Sequence, residues 1–184
     1  LPVAALVDND SARNLGRAVF VANCAGCHGT DARGAIGFPD LTDEDWLYGD
    51  SVEAVMTSIT RGRNGQMPSF IGAVSAEKLD ALLAFLPYWS DPELPAARRE
   101  AGMKAFTGTC AACHGADGHG NPLLGAPDLT DAVWLWGGQR EQIRHSIMFG
   151  RQNRMPAHDG LLSADEIRVV AAYVLSLSSA GAHP

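Results

Sequence analysis

All four cysteines of this 184-residue chain fall in two copies of one pattern, Cys24-x-x-Cys27-His28 and Cys110-x-x-Cys113-His114. No other feature constrains the fold as much, because C-x-x-C-H brings two thiols and an imidazole onto one turn of chain. Three chemistries compete for it. A zinc ribbon also uses two C-x-x-C pairs, but about 15–20 residues separate them, and Cys27 lies several times that distance from Cys110. A thioredoxin-like dithiol explains one pair beside a βαβ pattern and leaves both histidines idle. Covalent heme c explains every residue: the thiols add to the two vinyl groups and the histidine becomes the proximal iron ligand. Two hemes c are therefore expected. Thioether formation consumes the thiols, so no disulfide is expected, and attachment outside the cytoplasm points to the periplasm.

The motifs sit inside a longer repeat. Gly16, Phe20, Cys24, Cys27 and His28 recur as Gly102, Phe106, Cys110, Cys113 and His114 at an offset of 86. After an insertion of two residues the offset is 88: Pro39-Asp40-Leu41-Thr42 matches Pro127-Asp128-Leu129-Thr130, and Trp46-Leu47 matches Trp134-Leu135. Gly62, Met67-Pro68 and Ser75-Ala76 then match Gly150, Met155-Pro156 and Ser163-Ala164. A duplicated sequence is its own small alignment. Of the five methionines only Met67 and Met155 are equivalent, so they are the expected sixth ligands, Met67 following His28 and Met155 following His114. Met56, Met103 and Met148 read as packing residues. His119, His145, His158 and His183 have no histidine counterpart, which argues against bis-histidine ligation.

The periodicity predicts an all-α chain of two tandem domains, 1–87 and 98–184, joined by a stiff proline-containing linker over 88–97. Gly-x3-Phe-x3-Cys places Gly16, Phe20 and Cys24 on one helical stripe, with Asp10 or Ser11 as the N-cap. Its expected partner is the last helix of the same repeat, with Phe85 or Tyr173 over the glycine. The last helices are expected over about 75–86, stopping at Pro87, and from a capping box of Ser163 and Glu166 to about 178. Middle helices over about 51–61 and 139–149 end at Gly62 and Gly150, and each ligand methionine follows in an irregular loop held by Pro68 or Pro156. Aromatic residues make up only 7% of the chain, a thin supply for two small cores, and domains of that size commonly need a cofactor.

A formal net charge of −7 argues against a nucleic-acid partner, which needs clustered Lys and Arg. The acids Asp40, Asp43, Glu44, Asp45 and Asp50 read as a solvated loop, with a docking patch for a basic redox protein as the alternative. No run approaches the roughly 18 apolar residues of a membrane span. A start at Leu1, with neither initiator Met nor leader, is expected of a processed or trimmed product, and leaves an N-terminal anchor open.

Taken together, these residues resemble class I cytochromes c over 11–178. The paired P-D-L-T-D-x-x-W-L and G-R-x-x-x-M-P segments and the A-A-Y-V-x-S-L ending resemble CcoP more closely, the diheme subunit of the C-family heme-copper oxidases. The resemblance implies a non-catalytic electron relay from a soluble donor cytochrome or a quinol-oxidising complex to an oxidase core. Any membrane attachment would run through an N-terminal anchor or partner subunits. It also implies that the Pro39 and Pro127 carbonyls accept from the proximal histidines, unless these prolines are merely rigid. Trp46 and Trp134 would face heme propionates or simply pack on the porphyrin edge. Arg61, Arg63, Arg151 and Arg154 flank the methionines as propionate counter-charges or surface residues, Arg63 and Arg154 being the leading candidates. Rival readings are a free periplasmic shuttle and a diheme peroxidase. The peroxidase needs one labile sixth ligand, whereas both repeats keep Met-Pro.

Overall fold

A computed structural model describes residues 1–179; His183, set aside above as a ligand, lies outside the described residues. Helices α1 (Ala4–Val7), α2 (Asp10–Asn23), α3 (Ala25–His28) and α4 (Val52–Arg61) lead into strand β1 (Arg63–Met67) and helix α5 (Ala76–Phe85). A 3-10 turn over Leu86–Tyr88 precedes α6 (Ala96–Thr107), α7 (Ala111–His114), α8 (Arg140–Phe149), β2 (Arg151–Met155) and α9 (Ala164–Ser179). The all-α expectation is corrected in one respect. The methionine segments are short strands, paired in a two-stranded sheet. Five residues rich in Arg, Asn and Gln give too brief an alternation to announce a strand.

Local chemistry sets the helix ends. Asn9, one residue ahead of the expected cap, accepts from the Ala12 amide at 2.9 Å. Ser51 and Ser75 cap α4 and α5, and Gln139 with Gln142 forms a reciprocal box on α8. The capping box at α9 is as expected: the Ser163 amide donates to Glu166 at 2.8 Å and the Glu166 amide to Ser163 Oγ at 3.3 Å. Helices α4 and α8 stop at Gly62 and Gly150, whose φ of 71° and 74° favour glycine.

The chain forms two compact units, and neither is a sequence repeat. The first joins Leu1–Asn64 to the chain from Arg154 onward, while the second is Gly65–Asn153. The chain thus leaves the first unit within β1 and returns within β2. In the first unit α2 packs along α9. A Cβ on Gly16 would stand 2.1 Å from the Val169 carbonyl oxygen, and Phe20 is fully buried with its ring 5.5 Å from Tyr173. Helix α1, outside the sequence expectations, also lies on α9 and buries Val3. In the second unit α6 packs along α5, with Gly102 against Phe85 and Phe106 fully buried.

Each first helix therefore packs on the last helix of the other repeat, which corrects the within-repeat pairing. The reason lies in the supposed linker. Trp89 stacks 4.6 Å from Phe85 and 4.8 Å from Phe106, and Leu94 is buried. The Arg99 guanidinium donates to the carbonyls of Trp89 and Asp91, both at 2.6 Å. A corner this short and this well packed makes α5 and α6 neighbours. Helix α2 is left to α9.

Candidate functional site

Each unit presents one C-x-x-C-H turn. In the first, the chain passes from α2 through Cys24 into the single turn of α3, which ends on His28. In the second, Cys110 leads into α7, which ends on His114. Nδ1 of His28 lies 3.2 Å from the Pro39 carbonyl oxygen, and Nδ1 of His114 lies 3.0 Å from that of Pro127. A carbonyl only accepts, so Nδ1 carries the proton and the Nε2 lone pair is left for a metal. Burial lowers both imidazole pKa values against the raising effect of the proline carbonyls, and His158 lowers that of His28 further. Both histidines are thus kept in the neutral form.

The thiols behave differently from a redox dithiol. Burial and then the neighbouring thiol raise the pKa of Cys24, and the same causes push Cys110 up to about 11. Reactive disulfide-exchange cysteines are shifted the other way.

The methionines fall to the two units crosswise. Met155 packs against the cluster that holds Phe20 and is lined by Cys24, and Met67 against the cluster that holds Phe106 and is lined by Cys110. A Cβ on Gly62 would stand 2.3 Å from the Met155 carbonyl oxygen, and one on Gly150 would stand 2.4 Å from that of Met67. Just beyond, the His158 amide donates to Ile59 and the Phe70 amide to Ile147, both at 3.0 Å. The first unit therefore holds His28 with Met155, and the second His114 with Met67. The order expected from the sequence, His28 with Met67 and His114 with Met155, is not what the units contain.

Each unit also holds an arginine over an aromatic ring, and of these residues the sequence points to Arg63 and Arg151 but not to Tyr48 and Trp136. Arg63 stands 4.4 Å above the Tyr48 ring and donates to Ser58 Oγ at 2.8 Å; Arg151 stands 4.3 Å above the Trp136 ring and donates to Ser146 Oγ at 2.9 Å. Burial raises the Tyr48 phenol pKa, partly offset by Arg63, so it remains an O–H donor. The signal was available: Tyr48 and Trp136 match at the same offset, two residues past Trp46 and Trp134. Arg151 is the equivalent of Arg63, whereas Arg154 is exposed. Trp46 and Trp134 pack against the two hydrophobic clusters.

These residues fit a heme. Trp136 Nε1 and Asn153 Oδ1 in the second unit and His158 Nδ1 in the first are buried without a hydrogen-bond partner, a costly state unless a further group supplies one. A porphyrin carboxylate would satisfy the N–H donors, and its apolar ring would cover the half-buried methionines. Among the described residues no three His, Cys, Asp or Glu side chains gather as a bare ion would need, which suits iron delivered inside a macrocycle.

Comparison with known proteins agrees. The family model for cytochrome c oxidase, cbb3-type, subunit III matches residues 11–86 and again 97–174. The chain belongs to this family. It is 38% identical over 177 residues to the cbb3-type oxidase subunit CcoP of Cereibacter sphaeroides, covering 90% of this chain and 61% of the relative. It is 41% identical over 178 residues to CcoP of Rubrivivax gelatinosus, covering 96% and 58%. The FixP subunit of Bradyrhizobium sp. ORS 278 is 40% identical over 177 residues, covering 90% and 61%. The chain thus spans about three fifths of the length of these relatives. Among the described residues no helix is long and apolar enough to cross a membrane. Membership carries two tandem cytochrome c domains as sequence units; their halves are exchanged between the compact bodies.

Proposed function

We propose that this chain is the two-heme electron-relay portion of a cbb3-type oxidase subunit, with His28 and Met155 ligating one iron and His114 and Met67 the other. The observation that carries this reading is the twofold construction of one site. Each unit contains an imidazole whose Nδ1 meets a proline carbonyl, and a strand-end methionine packed on the hydrophobic cluster that the first cysteine of the same motif lines. When bound, heme c supplies a one-electron iron couple. The chain does the rest. Cys24 and Cys27, or Cys110 and Cys113, tether the ring, and the proline carbonyls raise the donor strength of the histidines. The soft methionine sulfur favours ferrous iron. Tyr48 with Arg63 and Trp136 with Arg151 would hold the propionates, and Trp46 and Trp134 would pack on the ring edge.

With a histidine and a methionine both held for the iron, no coordination site would be left open, so the role would be transfer rather than catalysis. Electrons would enter from a donor cytochrome or a quinol-oxidising complex and leave to an oxidase core, on the periplasmic side. The relatives' names as oxidase subunits support that direction. A free periplasmic shuttle would use the same two sites without an oxidase. Stable association with oxidase subunits in pull-down from membranes separates the two readings.

The ligand sets are tested in a Cys24→Ser/Cys27→Ser variant, which keeps only the heme at Cys110 and Cys113. Pyridine hemochrome assay is expected to give two covalent hemes for the parent and one for the variant. In that background Met67→His should change the ferric spectrum and lower the potential, and Met155→His should leave both unchanged. The reverse result would restore the within-repeat pairing.

A further inference from the structure

The two sites differ at one buried position. Three residues past each methionine, the amides of His158 and Phe70 occupy the same place, donating to the last turn of α4 and α8 through Ile59 and Ile147. The loop continues alike from both: the amides of Leu161 and Leu162 return to the His158 carbonyl, and those of Ala73 and Val74 to that of Phe70. At an equivalent backbone, then, one unit carries a phenyl ring and the other an imidazole. Phe70 packs into the apolar cluster of the second unit, as an aromatic hydrocarbon should. His158 is only 8% exposed, and its Nδ1 is buried with no partner.

That orphan is the informative atom. Buried polar groups in folded proteins are almost always paired, and an imidazole that merely filled space would serve no better than the phenyl already used in the other repeat. His158 also acts electrostatically on His28, the proposed iron-ligating imidazole of the same unit, so the two rings lie within reach of one bound group. Met155 Sδ does not pair with Nδ1 in this structure. The remaining acceptors belong to the cofactor, whose polar edge consists of two propionate carboxylates.

Building on the heme assignment above, we propose that His158 Nδ1–H donates to a propionate of the heme c held by His28 and Met155, and thereby raises the reduction potential of that heme. A carboxylate close to the iron stabilises the ferric state, and a hydrogen bond that disperses its charge favours the ferrous state. The second unit, with Phe70 in this position, has no such donor. His158 is a positioning and tuning residue; it does not touch the iron.

The experiment is a redox titration of the full two-heme chain, with the hemes distinguished by the spectral change that Met155→His produces in one of them. His158→Phe copies the side chain that the fold already accepts in the second unit. It should shift the ferrous/ferric equilibrium of the Met155-dependent heme about tenfold towards ferric, equal to about 59 mV, and leave the other heme unmoved. His158→Asn, whose amide reaches the place of Nδ1, should retain the parent potential within about twofold. Phe70→His should raise the potential of the other heme. The propionate bending mode in resonance Raman should move with His158→Phe and return with His158→Asn. The proposal is overturned if His158→Phe leaves both potentials in place, or if the Asn variant falls as far as the Phe variant. It is equally overturned if the parent shows one methionine–iron charge-transfer band and His158→Phe shows two, since His158 would then be an iron ligand. Should Met155→His change neither heme, the ligand assignment itself has failed, a result separate from any of these.

Discussion

The second unit is one continuous run of chain, residues 65–153, whereas the first is assembled from the two ends. In each, a first helix packs along a last helix. The closing element differs: α5 and α6 are joined by a short corner whose Trp89 packs between Phe85 and Phe106, but α2 and α9 meet only after most of the chain has been traversed. The offset places Leu177 where the second unit has Trp89. A duplicated sequence can close in two ways, with each first helix choosing its own last helix or the other copy's. Here a local corner chooses, and the distant pair inherits what is left. Non-local closure carries the larger loop entropy, so the first unit relies more on its side-chain contacts.

The strongest way to break this comparison is to empty one core. Phe20→Ala should destabilise the first unit by about 3–5 kcal/mol and Phe106→Ala the second by a similar amount. Calorimetry should resolve the transition that moves, and the disturbed heme spectrum should be that of Met155 for Phe20→Ala and of Met67 for Phe106→Ala. If each substitution instead disturbs the methionine of its own repeat, the exchange of halves is wrong.

The glycines give the next test. A Cβ on Gly16 would stand 2.1 Å from the Val169 carbonyl oxygen and one on Gly102 2.1 Å from Phe85 Cβ, and neither atom can rotate aside. Gly16→Ala should therefore destabilise the first unit and Gly102→Ala the second, each by about 1–3 kcal/mol. An unchanged chemical denaturation midpoint for either would contradict the close helix approach.

Smaller still is the cap. Ser163→Ala removes the donor and acceptor that start α9 and should lower the stability of the first unit alone by about 1 kcal/mol, seen as faster amide exchange confined to α1, α2 and α9.

Least is a surface pair found only in the second unit. His119 Nδ1 lies 2.8 Å from Asp128. The hydrogen bond to Asp128, and then its charge, raise the pKa of His119. The hydrogen bonds from His119 and Thr130 lower that of Asp128 against its burial. A raised histidine pKa stabilises the fold below its unfolded value and ceases to do so as pH rises through the folded value. A lowered carboxyl pKa stabilises above its unfolded value and fails as pH falls. The pair therefore contributes between the ordinary aspartate range and the raised histidine value. His119→Ala should lower the melting temperature slightly at about pH 5.5 and leave it unchanged at about pH 8.5; an equal loss at both would assign the effect to packing.

Much of this was readable from residues. The capping box at Ser163, the glycine stops at Gly62 and Gly150, and the buried stripe of Gly16 and Phe20 are local signals, and the structure contains each of them. What could not be read was which copy pairs with which. Gly16-x3-Phe20 and Gly102-x3-Phe106 are interchangeable as patterns, and so are Tyr173 and Phe85 as covers. The deciding clue, a short connection between α5 and α6, was taken for a free linker because its prolines suggested stiffness and its apolar residues were few. Trp89 and Leu94 were enough to fold it inward. Likewise Tyr48 and Trp136 align as clearly as the tryptophans before them, but differ in residue type, and a search for identities passes over such a pair.

On the proposed ligand pairs, the crossing also sets an order of completion. A polypeptide delivered N-terminus first presents Cys24 and His28 early, yet must wait for nearly all of its length before Met155 arrives. Cys110 and His114 emerge to find Met67 already there. The earliest tether is the last to be closed, and the later one can be finished at once. Assembly of the two sites is thus staggered in the sense opposite to their order along the chain.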